Sequence, residues 1–166
     1  MEKIDQEDVL TGATASKYDG MLKNGKRHGH GIEILTDGSK YIGQWVNGLK
    51  HGQGKITHAD GRKYDGQWEN GKKHGQGVQT DIDGIGKYDG QWKDNLKSGH
   101  GVRVHAKGDK YVGEFKENKR HGQGVMTYAE GDKYDGHWEN SNKNGQGVQT
   151  FNDGSKYDGQ WKDNCR

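Results

Sequence analysis

The 166-residue sequence has little of what usually builds a hydrophobic core. Only 27% of its residues are hydrophobic, 30% are charged, and proline is absent. So low an apolar content is typical of disordered chains. Two observations oppose that interpretation. The net charge is only +2, so charge repulsion does not expand the chain, and the aromatic residues are regularly spaced, which a disordered chain has no reason to maintain.

Further absences exclude whole classes of protein. A single cysteine, Cys165, excludes an internal disulfide framework and favours a reduced, cytoplasmic setting. No stretch is long and apolar enough to span a membrane. The first eight residues are acidic and lack an apolar segment, so we expect no secretory signal there, and position 2 is not the glycine that myristoylation requires.

What the sequence has in abundance is glycine, 30 residues of it, in register with aromatic residues. A tyrosine recurs every 23 residues, with one interval of 24, followed two positions later by glycine and two positions after that by a large apolar residue. The spacing predicts about six repeats plus a terminal half repeat over residues 17–166, with residues 1–16 as a leader or cap. The tyrosines are Tyr18, Tyr41, Tyr64, Tyr88, Tyr111, Tyr134 and Tyr157, and the large apolar residues are Leu22, Trp45, Trp68, Trp92, Phe115, Trp138 and Trp161.

Each repeat is predicted to form a β-hairpin. The tyrosine, glycine and tryptophan alternate with polar residues, so they lie on one face of a half-buried strand. Asn70-Gly71 and its equivalents follow directly and readily adopt the positive φ of a tight hairpin turn, whereas Glu117-Asn118 is a weaker turn signal. A Gly-x-Gly segment reads as the return strand, its glycines making room for an aromatic ring. Asp60-Gly61 and its equivalents turn the chain into the next repeat, and the one extra residue near Ile85-Gly86 falls in such a connecting turn.

These hairpins predict the fold class. A lone hairpin is marginal in water, but stacked hairpins share their aromatic face. We therefore expect an all-β protein with an elongated, single-layer antiparallel sheet of stacked β-hairpin repeats. About thirteen strands at roughly 4.8 Å each give a sheet on the order of 60 Å long, with no enclosed pocket.

The repeated columns Tyr-x-Gly-x-Trp-x-x-Gly-x-x-His-Gly-x-Gly resemble the MORN repeat (membrane occupation and recognition nexus). The resemblance extends from about Lys17 to Arg166, with departures at Leu22, at turn positions such as Ser141, and at Asn144 in the histidine column. The last repeat stops after its first strand, so either that strand is the cap or the chain is a piece of a longer protein. The resemblance implies a solenoid of MORN type that acts as a scaffold in cytoskeletal, ciliary or membrane-junction assemblies.

The conspicuous residues suggest a docking surface for a helix or an extended segment of a partner protein. Because no covering layer follows in the sequence, we expect the rings to be exposed along one face. The predicted partner-binding and stacking residues are Tyr18, Tyr41, Trp45, Tyr64, Trp68, Tyr88, Trp92, Tyr111, Phe115, Tyr134, Trp138, Tyr157 and Trp161.

Two alternatives remain open. A row of cations follows the hairpin turns, along one edge of the sheet, and could bind anionic phospholipid such as phosphoinositide, although charged turns that prevent aggregation are about twice as plausible. The array could also be an accessory module of a larger enzyme, such as a phosphatidylinositol-phosphate kinase. The row consists of Arg27, Lys50, Lys73, Lys97, Arg120 and Lys143.

Other functions have weak support in the sequence. His28, His51, His74 and His121 recur in one column, but stacked repeats place them about 10 Å apart, too far for one zinc ion, so we interpret them as structural. No nucleophile–base pair stands out, so we expect no enzyme and no cofactor. The 24 acidic residues argue against nucleic-acid binding. A homodimer through a terminal edge strand is a further hypothesis.

Overall fold

The computed structural model describes residues 16–82 and 84–166. Apart from Ser16, the predicted leader lies outside the described residues. The described residues form thirteen β-strands and no helix. The strands are β1 (Lys17–Lys23), β2 (Lys26–Ile34), β3 (Lys40–Val46), β4 (Leu49–Thr57), β5 (Lys63–Glu69), β6 (Lys72–Thr80), β7 (Lys87–Lys93), β8 (Leu96–Val104), β9 (Lys110–Lys116), β10 (Lys119–Thr127), β11 (Lys133–Glu139), β12 (Asn142–Thr150) and β13 (Lys156–Trp161).

All thirteen strands belong to one open antiparallel sheet, in which each strand pairs with its neighbours in sequence from β1 to β13. Each complete hairpin joins a first strand of seven residues to a return strand of nine. The return strand is longer because it bulges opposite the first strand, for example between Gly66 and Trp68 of β5. The predicted all-β sheet of hairpin repeats is confirmed.

The hairpin tips are two-residue turns with positive φ at both positions, the geometry of a type I′ turn. The first turn residue has φ of 49–52° and the second 67–85° in all seven tips. Asn70-Gly71 and the weaker signal Glu117-Asn118 adopt the same conformation. The turn predictions are therefore confirmed even where glycine is missing.

The connections between hairpins are also tight turns. In the first, the Leu35 N–H donates to the Ser39 carbonyl oxygen at 2.8 Å, and Gly38 has φ of 85°. Five of the six connections contain five residues, such as residues 35–39, and the connection between β6 and β7 contains six, residues 81–86. The extra residue thus lies in the connecting turn, as predicted.

Alternation of side chains gives the sheet two unlike faces. In β5, Tyr64, Gly66 and Trp68 are buried, and the residues between them are exposed. We call the face that carries the tyrosines and tryptophans the aromatic face and the opposite one the outer face. The buried hydrophobic core lies entirely against the aromatic face. No helix of the described residues is long and apolar enough to cross a membrane.

Candidate functional site: the aromatic face

Aromatic rings form a continuous ladder along the aromatic face. Each tryptophan meets the tyrosine of its own repeat and that of the preceding repeat, so Trp68 contacts both Tyr64 and Tyr41. Ring centroids lie 5.0–5.5 Å apart and ring planes cross at 82–89° throughout. Edge-to-face contacts of this kind stabilise aromatic pairs by about 0.5–1.5 kcal/mol beyond their burial. The ladder therefore couples every repeat to the next.

Paired glycines allow the tyrosine rings to lie flat on the sheet. Gly66 of β5 pairs with Gly77 of β6, and the Tyr64 ring covers both. A Cβ atom on Gly77 would lie 2.4 Å from the Tyr64 hydroxyl oxygen, which is closer than real Cβ contacts. The prediction that these glycines make room for a ring is confirmed.

The polar atoms of the buried rings have fixed partners. Every tyrosine hydroxyl of the ladder donates to the carbonyl three residues later, as Tyr64 does to Gln67 at 2.8 Å. Each tryptophan Nε1 donates to a glycine carbonyl of the preceding repeat, as Trp68 does to Gly54 at 2.8 Å. These bonds satisfy donors that would be costly to bury alone. They explain why tyrosine and tryptophan, rather than phenylalanine, recur.

The rings are not exposed, contrary to the expectation from the sequence. Tyr64 is 0% exposed and Trp68 6% exposed, and the other ladder rings between Tyr41 and Trp138 are equally buried. Only the ladder's end members Tyr18 and Tyr157 are partly buried. The sequence analysis assumed that no layer covers the rings, whereas neighbouring rings and long basic side chains cover them. Docking of a partner on this face stays a prediction, but the partner would contact that cover rather than bare rings.

The cover is the row of cations that the sequence analysis placed along the hairpin tips. We call Arg27, Lys50, Lys73, Lys97, Arg120 and Lys143 the basic row. The row follows the tips, but its side chains lie over the rings. The Lys73 ammonium is 4.8 Å from the centroids of Tyr64 and Trp92, and Arg120 Cζ is 4.3 Å from that of Trp138. Cation–π attraction of about 0.5–2 kcal/mol holds such a group in place.

The basic row differs in charge pairing along its length. In the first two repeats the buried Glu33 accepts from both cations, with Arg27 Nη1 at 2.5 Å and Lys50 Nζ at 3.5 Å. In the third and sixth repeats a glutamine stands at the position of this carboxylate, and in the fourth repeat Arg103 does. Lys73 Nζ donates to Gln79 Oε1 at 2.7 Å, and the equivalent Lys143 donates to its own glutamine, Gln149, at 2.6 Å.

Burial changes the acid–base behaviour of this face. Desolvation lowers the pKa of Lys73 to about 8, assisted by the nearby charges of Arg62 and Lys97. Desolvation likewise lowers the pKa of Lys97 and Lys143 below the ordinary lysine value. It raises the pKa of the ladder tyrosines from Tyr18 to Tyr134, and that of Tyr134 to about 12. At neutral pH the face therefore carries half-buried ammonium groups above neutral phenols.

Turn residues without glycine have a role that the sequence analysis missed. Asn118 Oδ1 accepts the backbone N–H of Lys97 in the preceding repeat at 2.9 Å, and Asn95 does the same for Lys73 at 2.9 Å. The turn backbone donates in return, from the Asn118 N–H to the Lys97 carbonyl at 3.0 Å. These bonds fix the backbone beneath the basic row. The recurring Asp-Asn and Glu-Asn pairs were the available signal, but one hairpin alone does not reveal a partner in the next.

The outer face offers a less continuous surface. Two of its exposed lysines pair with the aspartate two residues on, Lys87 with Asp89 and Lys133 with Asp135, each at 3.3 Å. Two small apolar patches interrupt the polar residues of this face. In one, Ile32 pairs with Ile42, and in the other, Val112 lies between valines of β8 and β10.

The histidine column lies beside the hairpin tips. His74 Nδ1 faces Glu69 Oε2 at 3.4 Å. Among the described residues, no group of three or more histidines, cysteines or carboxylates could hold a metal ion.

The fold and the aromatic face define a class of protein: an open β-sheet built from hairpin repeats, in which a tyrosine–tryptophan ladder joins each repeat to the next. Within that class, the family model for the MORN repeat matches residues 18–40, 41–61, 64–85, 88–110, 111–133, 134–156 and 157–164. The chain therefore belongs to the MORN repeat family, as the sequence resemblance indicated.

Comparison with solved structures gives more distant likenesses. The SAS-4 (dCPAP) TCP domain of Drosophila melanogaster, solved with a proline-rich motif of Ana2 (dSTIL), has a TM-score of 0.49 at 11% identity, over 80% of this chain and 73% of that one. The TCP10 domain of Danio rerio CPAP, solved with a peptide of Danio rerio STIL, has a TM-score of 0.37 at 15% identity, over 86% of this chain and 67% of that one. No curated protein matches the chain.

Proposed function

We propose that this protein is a non-enzymatic scaffold that docks a segment of a partner protein along its aromatic face. The observation that carries the proposal is the unequal construction of the two faces. One face is a rigid, continuous strip of buried rings beneath half-buried cations. The other is a solvated surface of charge pairs broken by small apolar interruptions.

Rigidity makes the aromatic face suited to this role. The ring ladder, the indole hydrogen bonds and the turn-to-turn hydrogen bonds all cross from one repeat to the next. A preorganised surface loses little conformational entropy when a partner binds. A partner that lies across several repeats also gains contacts in proportion to its length.

Binding of anionic lipid is the alternative role for the cations of the basic row. Their burial does not favour that role, because cations that bind a membrane surface act by projecting toward the anionic headgroups. The side chains of Lys50 and Arg27 are only 16% and 27% exposed. The docking of a protein segment agrees better with this geometry.

Site-specific photo-crosslinking in the native cell tests the proposal. Gln79 and Gln76 are two glutamines of β6 on opposite faces, Gln79 on the aromatic face and Gln76 exposed on the outer face. A photoreactive residue at position 79 should crosslink a defined partner, and a synthetic copy of the crosslinked segment should bind the purified protein. Crosslinks to that partner only from position 76 would contradict the proposal.

A further inference from the structure

In the middle and last repeats of the aromatic face, the cations of the basic row have no carboxylate of the described residues beside them to balance their charge. Within the described part of the chain, no carboxylate lies within 4 Å of the charged groups of four members of the basic row. These four are Lys73, Lys97, Arg120 and Lys143. Glu33 shows that the fold can accommodate a buried carboxylate beside the row, since it occupies that place in the first repeats.

The nearest acids belong to the connecting turns and are engaged elsewhere. Asp81 pairs with Arg103, which itself faces this side of the sheet. Asp109 Oδ1 accepts the Ala129 N–H at 2.9 Å, and Asp132 Oδ1 accepts the Asn152 N–H at 2.9 Å. These acids attenuate the positive field of the row but leave its four cations without a carboxylate partner among the described residues. Lys73 and Lys143 donate instead to neutral glutamines, and Arg120 donates to the Ser141 carbonyl. This stretch of cations without carboxylate partners is thus complementary to an anionic ligand.

The spacing of the row restricts the shape of that ligand. Successive cations are two strands apart, or about 9.6 Å. A polyproline II segment repeats every three residues over about 9.3 Å, so an acid at every third position would meet successive cations. A β-strand turns its third residue to the opposite face, and two strand residues span only about 6.6 Å. Seven helical residues span about 10.5 Å, so a helix falls out of register by about 3 Å over four cations.

We propose that the segment docked on the aromatic face is acidic and extended, with a carboxylate at every third residue, and that it lies in polyproline II conformation across Lys73, Lys97, Arg120 and Lys143. This inference rests on the proposed function and specifies its partner. The carboxylates supply the negative charge that Glu33 supplies beside Arg27 and Lys50. Their pairing with already positioned cations requires no rearrangement of the sheet.

Direct binding measurements with synthetic peptides test the inference. The probe is a fluorescent peptide of about fifteen residues, long enough for four turns of polyproline II, with four aspartates spaced at every third position. A second peptide of identical composition carries aspartate at every fourth position. We expect the first to bind at least about tenfold more tightly at low ionic strength, and its affinity to fall as salt is added.

Variants separate the basic row from general charge. Lys73→Met, Lys97→Met and Lys143→Met together retain the apolar stems over the rings and remove three charges. The matched control changes Lys63, Lys110 and Lys156 of the outer face to Met, which alters net charge equally. Circular dichroism verifies that both variants are folded. The row variant should lose at least about tenfold in affinity for the probe, and the outer-face variant should bind as the parent does.

Three results would overturn the inference: equal affinity for the two peptides, equal loss in the two variants, or binding to phosphatidylserine vesicles but not to the peptide. The last would assign the row to a membrane instead. If the acidic probe fails while position 79 still crosslinks a partner segment of another composition, the scaffold proposal stands and only the acidic specification is wrong.

Discussion

At the scale of single residues, the recurring tyrosine and lysine side chains each have two structural roles. Tyr64 fills the space above Gly66 and Gly77 and also donates its hydroxyl to a carbonyl in the bulge. Lys73 shields the rings with its stem and holds its ammonium against their π-faces. Burial of such a cation destabilises the folded chain, because desolvation disfavours the charged form. The protonation of Lys73 therefore offers a direct measure of this layer.

Stability should depend on pH through Lys73. Its pKa is about 8 in the folded chain and near the ordinary lysine value of 10.5 when unfolded. Between these values the unfolded state binds more protons, so the free energy of unfolding should rise as pH increases from about 8 toward 10. Urea unfolding at several pH values measures this slope. Above pH 10 the trend reverses, because the buried tyrosines have raised pKa values and ionise more readily when unfolded.

Lys73→Met supplies the control for this prediction. The variant keeps an apolar stem over Tyr64 and Trp92 but has no group to deprotonate, so its stability should rise less steeply with pH than that of the parent. Identical slopes for the parent and the variant would show that the Lys73 ammonium is not desolvated in the folded protein.

At the scale of the hairpin, the turn both closes its own repeat and anchors the preceding one. Glycine at the second turn position provides positive φ at little cost, and its N–H still donates to the previous repeat, as Gly71 does to the Lys50 carbonyl at 2.8 Å. Asparagine tolerates the same conformation and adds a side-chain acceptor, as Asn118 does for Lys97. Where asparagine replaces the glycine of the family pattern, the turn therefore exchanges the conformational freedom of glycine for a hydrogen bond to the preceding repeat.

Substitutions at two equivalent turns test this exchange. Asn118→Ala should lower the free energy of unfolding by about 2 kcal/mol, since it loses the bond to Lys97 and strains an L-residue at φ of 70°. Asn118→Gly should cost less, because only the bond is lost. The reverse change, Gly71→Asn, should be neutral or stabilising. Thermal unfolding of all three measures the effects, and a clear loss of stability in Gly71→Asn would contradict the exchange.

At the scale of the molecule, most of the architecture could be predicted because each repeat contains its own strand and turn signals. The period-2 alternation of Tyr64, Gly66 and Trp68 determines a strand and its buried face, and Asn70-Gly71 determines the turn. The burial of the rings could not be predicted in this way. A lysine beside a turn can extend into solvent or lie over the sheet, and Lys73 lies over it because Trp92 of the next repeat completes its binding site. Contacts between repeats therefore determine side-chain positions that the sequence of a single repeat does not specify.

Those contacts also predict how the array unfolds. Tyr88 lies in the middle of the ladder, where its ring contacts Trp92 and Phe115, whereas the Tyr157 ring contacts a single aromatic ring of the described residues, that of Trp161. If each repeat is stabilised mainly by its neighbours, Tyr88→Ala should cost about 3–5 kcal/mol and separate the unfolding of the two flanking halves. Hydrogen exchange should then show two transitions, while Tyr157→Ala should loosen only the last strand. A single transition displaced equally by both substitutions would mean that the sheet unfolds as one unit, with stability shared across all of its strands rather than passed between adjacent repeats.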